Sequence, residues 1–153
     1  RMKRCLLLFA VVLSIVTCTA QTNDSMMELK FFRCPHCGNV IVKMADSGVP
    51  VVCCGEKMQE LQPNTSDGAG EKHLPVISQN AESVTVTVST VEHPSVDAHY
   101  IQFIVLQTTS GYEVKFLKPG MAPKALFGLS YGDVVVAAYE YCNLHGLWKA
   151  AVK

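Results

Sequence analysis

Cys34 and Cys37 stand in the run CPHC, and Cys53 and Cys54 follow sixteen positions later in VVCCG. Four thiolates at this spacing suit a soft ion in a tetrahedral set, zinc or iron, or else a pair of disulfides. The spacing points to metal chemistry without choosing the metal. Adjacent cysteines in an extended strand face opposite ways, so Cys53 and Cys54 reach one ion only through a local turn, which Gly55 permits. His36, inside the first pair, is expected to face solvent rather than add a fifth donor.

A second set lies further along, where His73, His93, His99 and His145 accompany the lone Cys142. Each of these histidines adjoins a marker of bent chain, in EKHLP, VEHPSV, DAHY and CNLHG. Pro94 forbids a helix that would align His93 with His99, so the two must converge through a loop. Cys142 and His145, three positions apart at the end of an apolar run, can reach one ion from a single turn. Imidazole suits zinc, copper, iron and nickel, and one thiolate shifts the balance toward a redox metal. Four neutral imidazoles and one thiolate leave a divalent ion net positive, which attracts a small anion. Five protein donors also leave a six-coordinate ion one open position for chemistry. Trp148 is read as packing beside this set.

Those side chains need a scaffold, and the composition can build one. The 153 residues are 49% hydrophobic and 17% charged, which describes a globular chain with a real core. Thirteen basic residues balance thirteen acidic ones, so no global field exists to draw in nucleic acid, and none is expected as a partner. The first twenty residues differ in kind: RMKR is a basic leader, CLLLFAVVLSIV is apolar, and TCTA supplies small residues. The apolar run is short of the roughly 20 residues that span a bilayer. Residues 1–20 are therefore read as an export signal, cut after Ala20 or before Cys18 to leave a lipid-modified cysteine. The protein is expected to be periplasmic or membrane-attached as a lipoprotein. With Cys5 and Cys18 in the leader, an odd number of cysteines remains, which suits ligation better than a disulfide framework.

The mature chain divides by composition. Residues 26–62 form a block of short strands, LKFF, VIVKM and VPVVC, bent at Gly38, Gly48, Pro50 and Gly55. So small a unit cannot offset its ordering entropy from its own core, and the four cysteines are the obvious staple. QPNTSDGAG, at 62–70, marks a linker placed over 63–72. From 73 to 153 the strand signals HLPVI, SVTVTVSTV, YIQFIVLQ, YEVKFL, ALFGL and DVVVAAYEY recur at short intervals without a helical period, as in an antiparallel sandwich or barrel.

In order along the chain, FFRCPHCGNVI, VVCCGEKM, TSDGAGEKHLPVI, EHPSVDAHYI, KFLKPG and EYCNLHGLWKA resemble desulfoferrodoxin, the two-iron form of superoxide reductase, from about Leu29 to Ala150. The resemblance implies an all-β chain, with a small desulforedoxin-like metal-knuckle domain followed by an immunoglobulin-like antiparallel β-sandwich. It implies two iron ions, one held by Cys34, Cys37, Cys53 and Cys54. The other has His73, His93, His99 and His145 in its plane and Cys142 on its axis. It further implies one-electron reduction of superoxide to hydrogen peroxide with electrons from outside, from a rubredoxin-like donor. In that family's terms Lys72 draws in and orients the anion, and Glu71 occupies the oxidised iron after the product leaves. Without the resemblance, Glu71 and Lys72 read as an exposed charged pair. A homodimer is expected, since a tiny metal domain and open sheet edges both benefit from a partner. Two other functions fit the residues taken alone: a non-catalytic iron electron carrier, and a zinc-stapled binding module.

Overall fold

The computed structural model describes residues 28–66 and 68–152, so the export signal read over 1–20 lies outside the described residues. The described chain is β throughout, apart from one 3-10 turn at Gly70–Lys72. Among the described residues no helix is long and apolar enough to cross a membrane.

The first strands are β1 (Lys30–Arg33), β2 (Val40–Lys43), β3 (Val52–Cys53), β4 (Glu56–Lys57) and β5 (Gln59–Glu60). They make a three-stranded sheet, β2-β1-β5, and a separate β3-β4 hairpin. After the 3-10 turn come β6 (Pro75–Gln79), β7 (Ser83–Val88), β8 (Ile101–Thr108), β9 (Tyr112–Phe116), β10 (Lys124–Gly128), β11 (Val135–Cys142) and β12 (Gly146–Ala151). These form two antiparallel sheets, β10-β7-β6 and β12-β11-β8-β9, the two layers of a sandwich.

Alternation decides the inner face. In β7 the valines of SVTVTV are buried while its serine and threonines stay half-exposed. Val84, Val86 and Val88 pack with Phe127 of β10, Ile104 and Leu106 of β8, and Ala138 and Cys142 of β11. Burying each large apolar side chain contributes about 1.5–3 kcal/mol. Cys142 is thus continuous with the main core, anchored by the same packing that closes the sandwich.

The opposite face of β11 serves the small unit. Leu29 and Phe31 pack on Tyr139, Tyr141 and Leu147. The ring of Phe31 lies 5.2 Å from that of Tyr139. Phe103 and Tyr141 stack at 5.2 Å with planes 6° apart. A unit too small to own a core shares one with the sandwich.

Within the stretch read as a linker over 63–72, Asn64 is bonded to β12. The N–H of Asn64 donates to the carbonyl of Leu147 at 3.0 Å. Its side-chain amide donates to Lys149 O at 3.1 Å and accepts from Lys149 N at 2.8 Å. Its Gly, Pro and Asn content reflects turns, Asn64 itself having φ 63°, and the turns hold the segment against β12.

Candidate metal centres

The four-cysteine cluster is made by two tight turns. In the first, Gly38 N donates to Cys34 O at 3.1 Å and Cys34 N to Asn39 O at 2.9 Å, curling Cys34 and Cys37 round one point. In the second, Cys54 and Gly55 are the two central residues of the β3-β4 hairpin, with φ of 52° and 83°. Positive φ at both positions is the type I′ turn. It costs Cys54 about 1–2 kcal/mol of left-handed strain. In return it swings the two neighbouring sulfurs to the same side, at 3.9 Å from each other. Cys37 Sγ lies 3.6 Å from Cys53 Sγ, and all four sulfurs fall within 4.8 Å of one another.

All five described cysteines are free thiols, so the disulfide alternative drops out. Backbone N–H groups, that of Cys37 foremost, bring the Cys34 thiol down to about 6. The hydrogen bond with Cys37, then those with the other thiols, pushes Cys54 up to about 12, and Cys53 is raised as well. Without a cation one thiolate is favoured and its neighbours resist ionising. Four thiolates together require a metal. His36 stands outside the cluster, as expected, exposed and 3.0 Å from Glu56 Oε2.

The second centre is assembled from four places in the chain. β11 runs against β8 with a register shift between Tyr141 and Cys142, a bulge at the strand's last residue. Such a bulge re-aims a side chain. Cys142 is fully buried, and its sulfur lies 3.6 Å from Nδ1 of His145 across the turn into β12. Gly146, at φ 70°, lets that turn close. Burial pushes the Cys142 thiol up, against the backbone N–H groups of His145 and Leu144, which favour its thiolate.

His73 follows the Gly70–Lys72 turn, and His93 and His99 belong to the loop between β7 and β8. His73 Nδ1 donates to Ala69 O at 2.8 Å, and His93 Nδ1 to Pro94 O at 2.6 Å. Each bond fixes the proton on Nδ1 and frees Nε2 as a lone-pair donor. Those two Nε2 atoms face each other at 3.2 Å. His99 Nε2 is buried with no hydrogen-bond partner among the described residues.

The rings close a four-membered circuit. Neighbours His73–His93, His93–His99, His99–His145 and His145–His73 have centroids 4.8, 4.6, 4.9 and 4.7 Å apart. Each lies nearly perpendicular to the next, while His73 and His99 oppose each other at 6.4 Å. The five donor atoms, Cys142 included, lie within 4.8 Å of one another. Burial, foremost, lowers His73, His93 and His99, His93 to about 4. These three are therefore neutral and able to ligate at pH 7. Converging lone pairs, an orphaned ring nitrogen and a buried thiol fit a single metal ion.

Lys72 and Glu71 are both exposed on the turn that leads into His73. The Lys72 charge is felt at His73 and His99, where it opposes protonation. Trp148 packs where expected, its ring stacked on His73 at 4.9 Å. Sequence reasoning missed four neighbours. A Cβ at Gly68 would come within 3.1 Å of both His73 and His145 and would press on both rings. Ala69 acts through its carbonyl, and Asn143 braces the turn. Glu140, two residues before Cys142, is fully buried with neither carboxylate oxygen partnered among the described residues, and desolvation raises its pKa well above the usual carboxylate range. None of the four belongs to a motif whose chemistry announces it.

A four-cysteine knuckle joined to an antiparallel sandwich with a four-histidine, one-cysteine cluster defines a non-haem metalloprotein with two mononuclear centres. The sequence profile of the desulfoferrodoxin family matches residues 65–151. The chain is 46% identical over 123 residues to a desulfoferrodoxin of Nitratidesulfovibrio vulgaris, covering 80% of this chain and 96% of that one. It is 44% identical over 124 residues to a desulfoferrodoxin of Desulfarculus baarsii, with 80% and 96% covered. The crystal structure of the superoxide reductase from Treponema pallidum superposes with a TM-score of 0.70 at 37% identity, covering 81% of this chain and 99% of that one. The chain belongs to the desulfoferrodoxin family.

Proposed function

We propose that this chain is a superoxide reductase, in which O2•−, one electron and two protons give H2O2. The observation that carries the reading is the closed ring of four imidazoles with the buried Cys142 thiol beside it. Two iron ions serve each chain, one with Cys34, Cys37, Cys53 and Cys54, the other with His73, His93, His99, His145 and Cys142. The second iron, when bound, supplies the one-electron reduction.

The residues themselves do the rest. Neutral imidazoles leave the centre positive enough to hold a small anion, and Lys72 adds an exposed cation beside it, which raises the local anion concentration. The Ala69 and Pro94 carbonyls hold the ring protons on Nδ1 of His73 and His93, so Nε2 stays available through turnover. The Leu144 and His145 N–H groups support negative charge on the Cys142 sulfur. Glu71, exposed next to Lys72, would be a hard oxygen donor for the bound iron in its oxidised state.

Electrons come from outside, from a small redox protein of rubredoxin type. A cleft of about 470 Å³ supports this, since it brings Arg33, next to Cys34, and His145 to one opening. A homodimer is supported by the open edges of β2 and β9, which flank an apolar recess of about 120 Å³ beside Phe116, 76% exposed. Export, to the periplasm or as a lipoprotein, is supported by the basic, apolar and small-residue runs of 1–20. N-terminal sequencing of protein from cells tests it, and an unprocessed leader would refute it.

Iron analysis of anaerobically purified protein and the decay of pulsed superoxide test the function. Two irons per chain and fast decay, lost in His73→Ala and Cys142→Ser, are expected. Zinc in both sites would make the protein a binding module. Two irons with spontaneous-rate decay would make it an electron carrier.

A further inference from the structure

One segment, Cys142–Trp148, carries two of the five donors, and its other side chains reach two more. We propose that Asn143 and Trp148 are positioning residues of the five-donor centre, holding His99 and His73 at the separation from Cys142 and His145 that one ion requires. The inference rests on reading that centre as an iron site.

Asn143 grips the chain on both sides of His99. Its Oδ1 accepts from Tyr100 N at 2.9 Å, and its Nδ2 donates to Ala98 O at 3.0 Å. Its own N–H donates to Tyr100 O at 3.2 Å. The backbone before and after His99 is thus tied to the residue next to Cys142. His99 needs this, because its Nε2 has no hydrogen-bond partner among the described residues to hold the ring. Only an amide of this length serves both bonds, since aspartate lacks the donor and glutamine is one methylene longer.

Trp148 performs the same service for His73 by other means. Its face lies on the His73 ring at 4.9 Å, with planes 18° apart. Its Nε1–H donates to His145 O at 3.1 Å, fixing the indole to the turn. A Cβ on Gly70 would lie 3.9 Å from the same indole, so the turn bearing Glu71 and Lys72 passes close to it. His93 is held through Pro94 in its own loop, as the His73 ring is also held through the Ala69 carbonyl beside its contact with Trp148. Four donors are therefore carried or touched by one segment, beside the local ties of His73 to Ala69 and of His99 to Val96.

Asn143→Asp removes one donor at nearly constant shape, and Trp148→Phe keeps an aromatic face while losing the N–H. Both are to be compared with the unaltered protein after iron loading, by competition with a chelator and by the thiolate-to-iron absorption of the oxidised five-donor centre. The four-cysteine spectrum serves as internal reference. Expected is iron release from the five-donor centre at roughly 10–100-fold lower chelator concentration in Asn143→Asp, the usual cost of losing a residue that orients a ligand. Trp148→Phe should shift the absorption band, with the four-cysteine spectrum unchanged in both. Unchanged affinity and band in both variants would overturn the proposal. So would loss of both centres together, which marks a residue of the fold. If the unaltered protein held no iron at the five-donor centre, the reading beneath the proposal would fail instead.

Discussion

His73 and His93 point their Nε2 lone pairs at each other across 3.2 Å. Each ring's proton is already committed to a backbone carbonyl on the other nitrogen. Two such acceptors repel unless a cation lies between them. His93→Ala therefore removes one of the proposed ligands, and the loss must exceed what altering a ligand's support costs. Iron affinity at this centre should fall by at least about 100-fold, and superoxide consumption with it. The four-cysteine spectrum should persist, as absorption spectra of the variant will show.

The steering proposed for Lys72 works by charge from an exposed turn, so removing the residue should slow capture and leave the centre intact. Lys72→Met is expected to lower the second-order rate with superoxide by about 10-fold and to flatten its dependence on ionic strength. Stopped-flow mixing at low and high salt measures both. An unchanged salt slope would remove Lys72 from the steering role.

Phe31 is 1% exposed and packs the small unit onto the sandwich. Phe31→Ala should cost about 3–5 kcal/mol of stability. It should also let residues 28–62 be cleaved by protease before the rest. Denaturant unfolding and limited proteolysis of the metal-loaded protein check the two effects.

Asp133 accepts hydrogen bonds from the Thr109 hydroxyl at 2.6 Å and from the Ser110 hydroxyl and N–H at 2.7 and 3.1 Å. These bonds, that of Thr109 foremost, hold its carboxyl well below the ordinary value. A lowered carboxylate stabilises the fold above its unfolded-state value, near 4, and loses that contribution as pH falls below it. The melting-temperature advantage over Asp133→Asn should be full at pH 6 and shrink below pH about 4. Thermal melts across that range read it directly.

The sandwich strands were legible because SVTVTV and its neighbours alternate, and alternation has one physical meaning in a sheet with a single buried face. β12 was not, since GLWKAA lacks the period and is a strand only because β11 offers it an edge. The donors were legible because cysteine and histidine are rare and chemically specific. Their supports were not. Ala69 acts through a carbonyl every residue owns, and Gly68 through a missing side chain. Asn64 and its glycine-rich neighbours look the same in a free linker and in a turn bonded to β12.

Product stoichiometry tests the central claim most directly. Superoxide is mixed with the anaerobically reduced protein, and peroxide and dioxygen are measured together. The one-electron reduction assigned to the five-donor centre predicts one hydrogen peroxide for each superoxide consumed, with no dioxygen. Half as much peroxide accompanied by dioxygen would mean dismutation, and decay at the spontaneous rate would mean no reaction at the site. Either result would contradict the assignment.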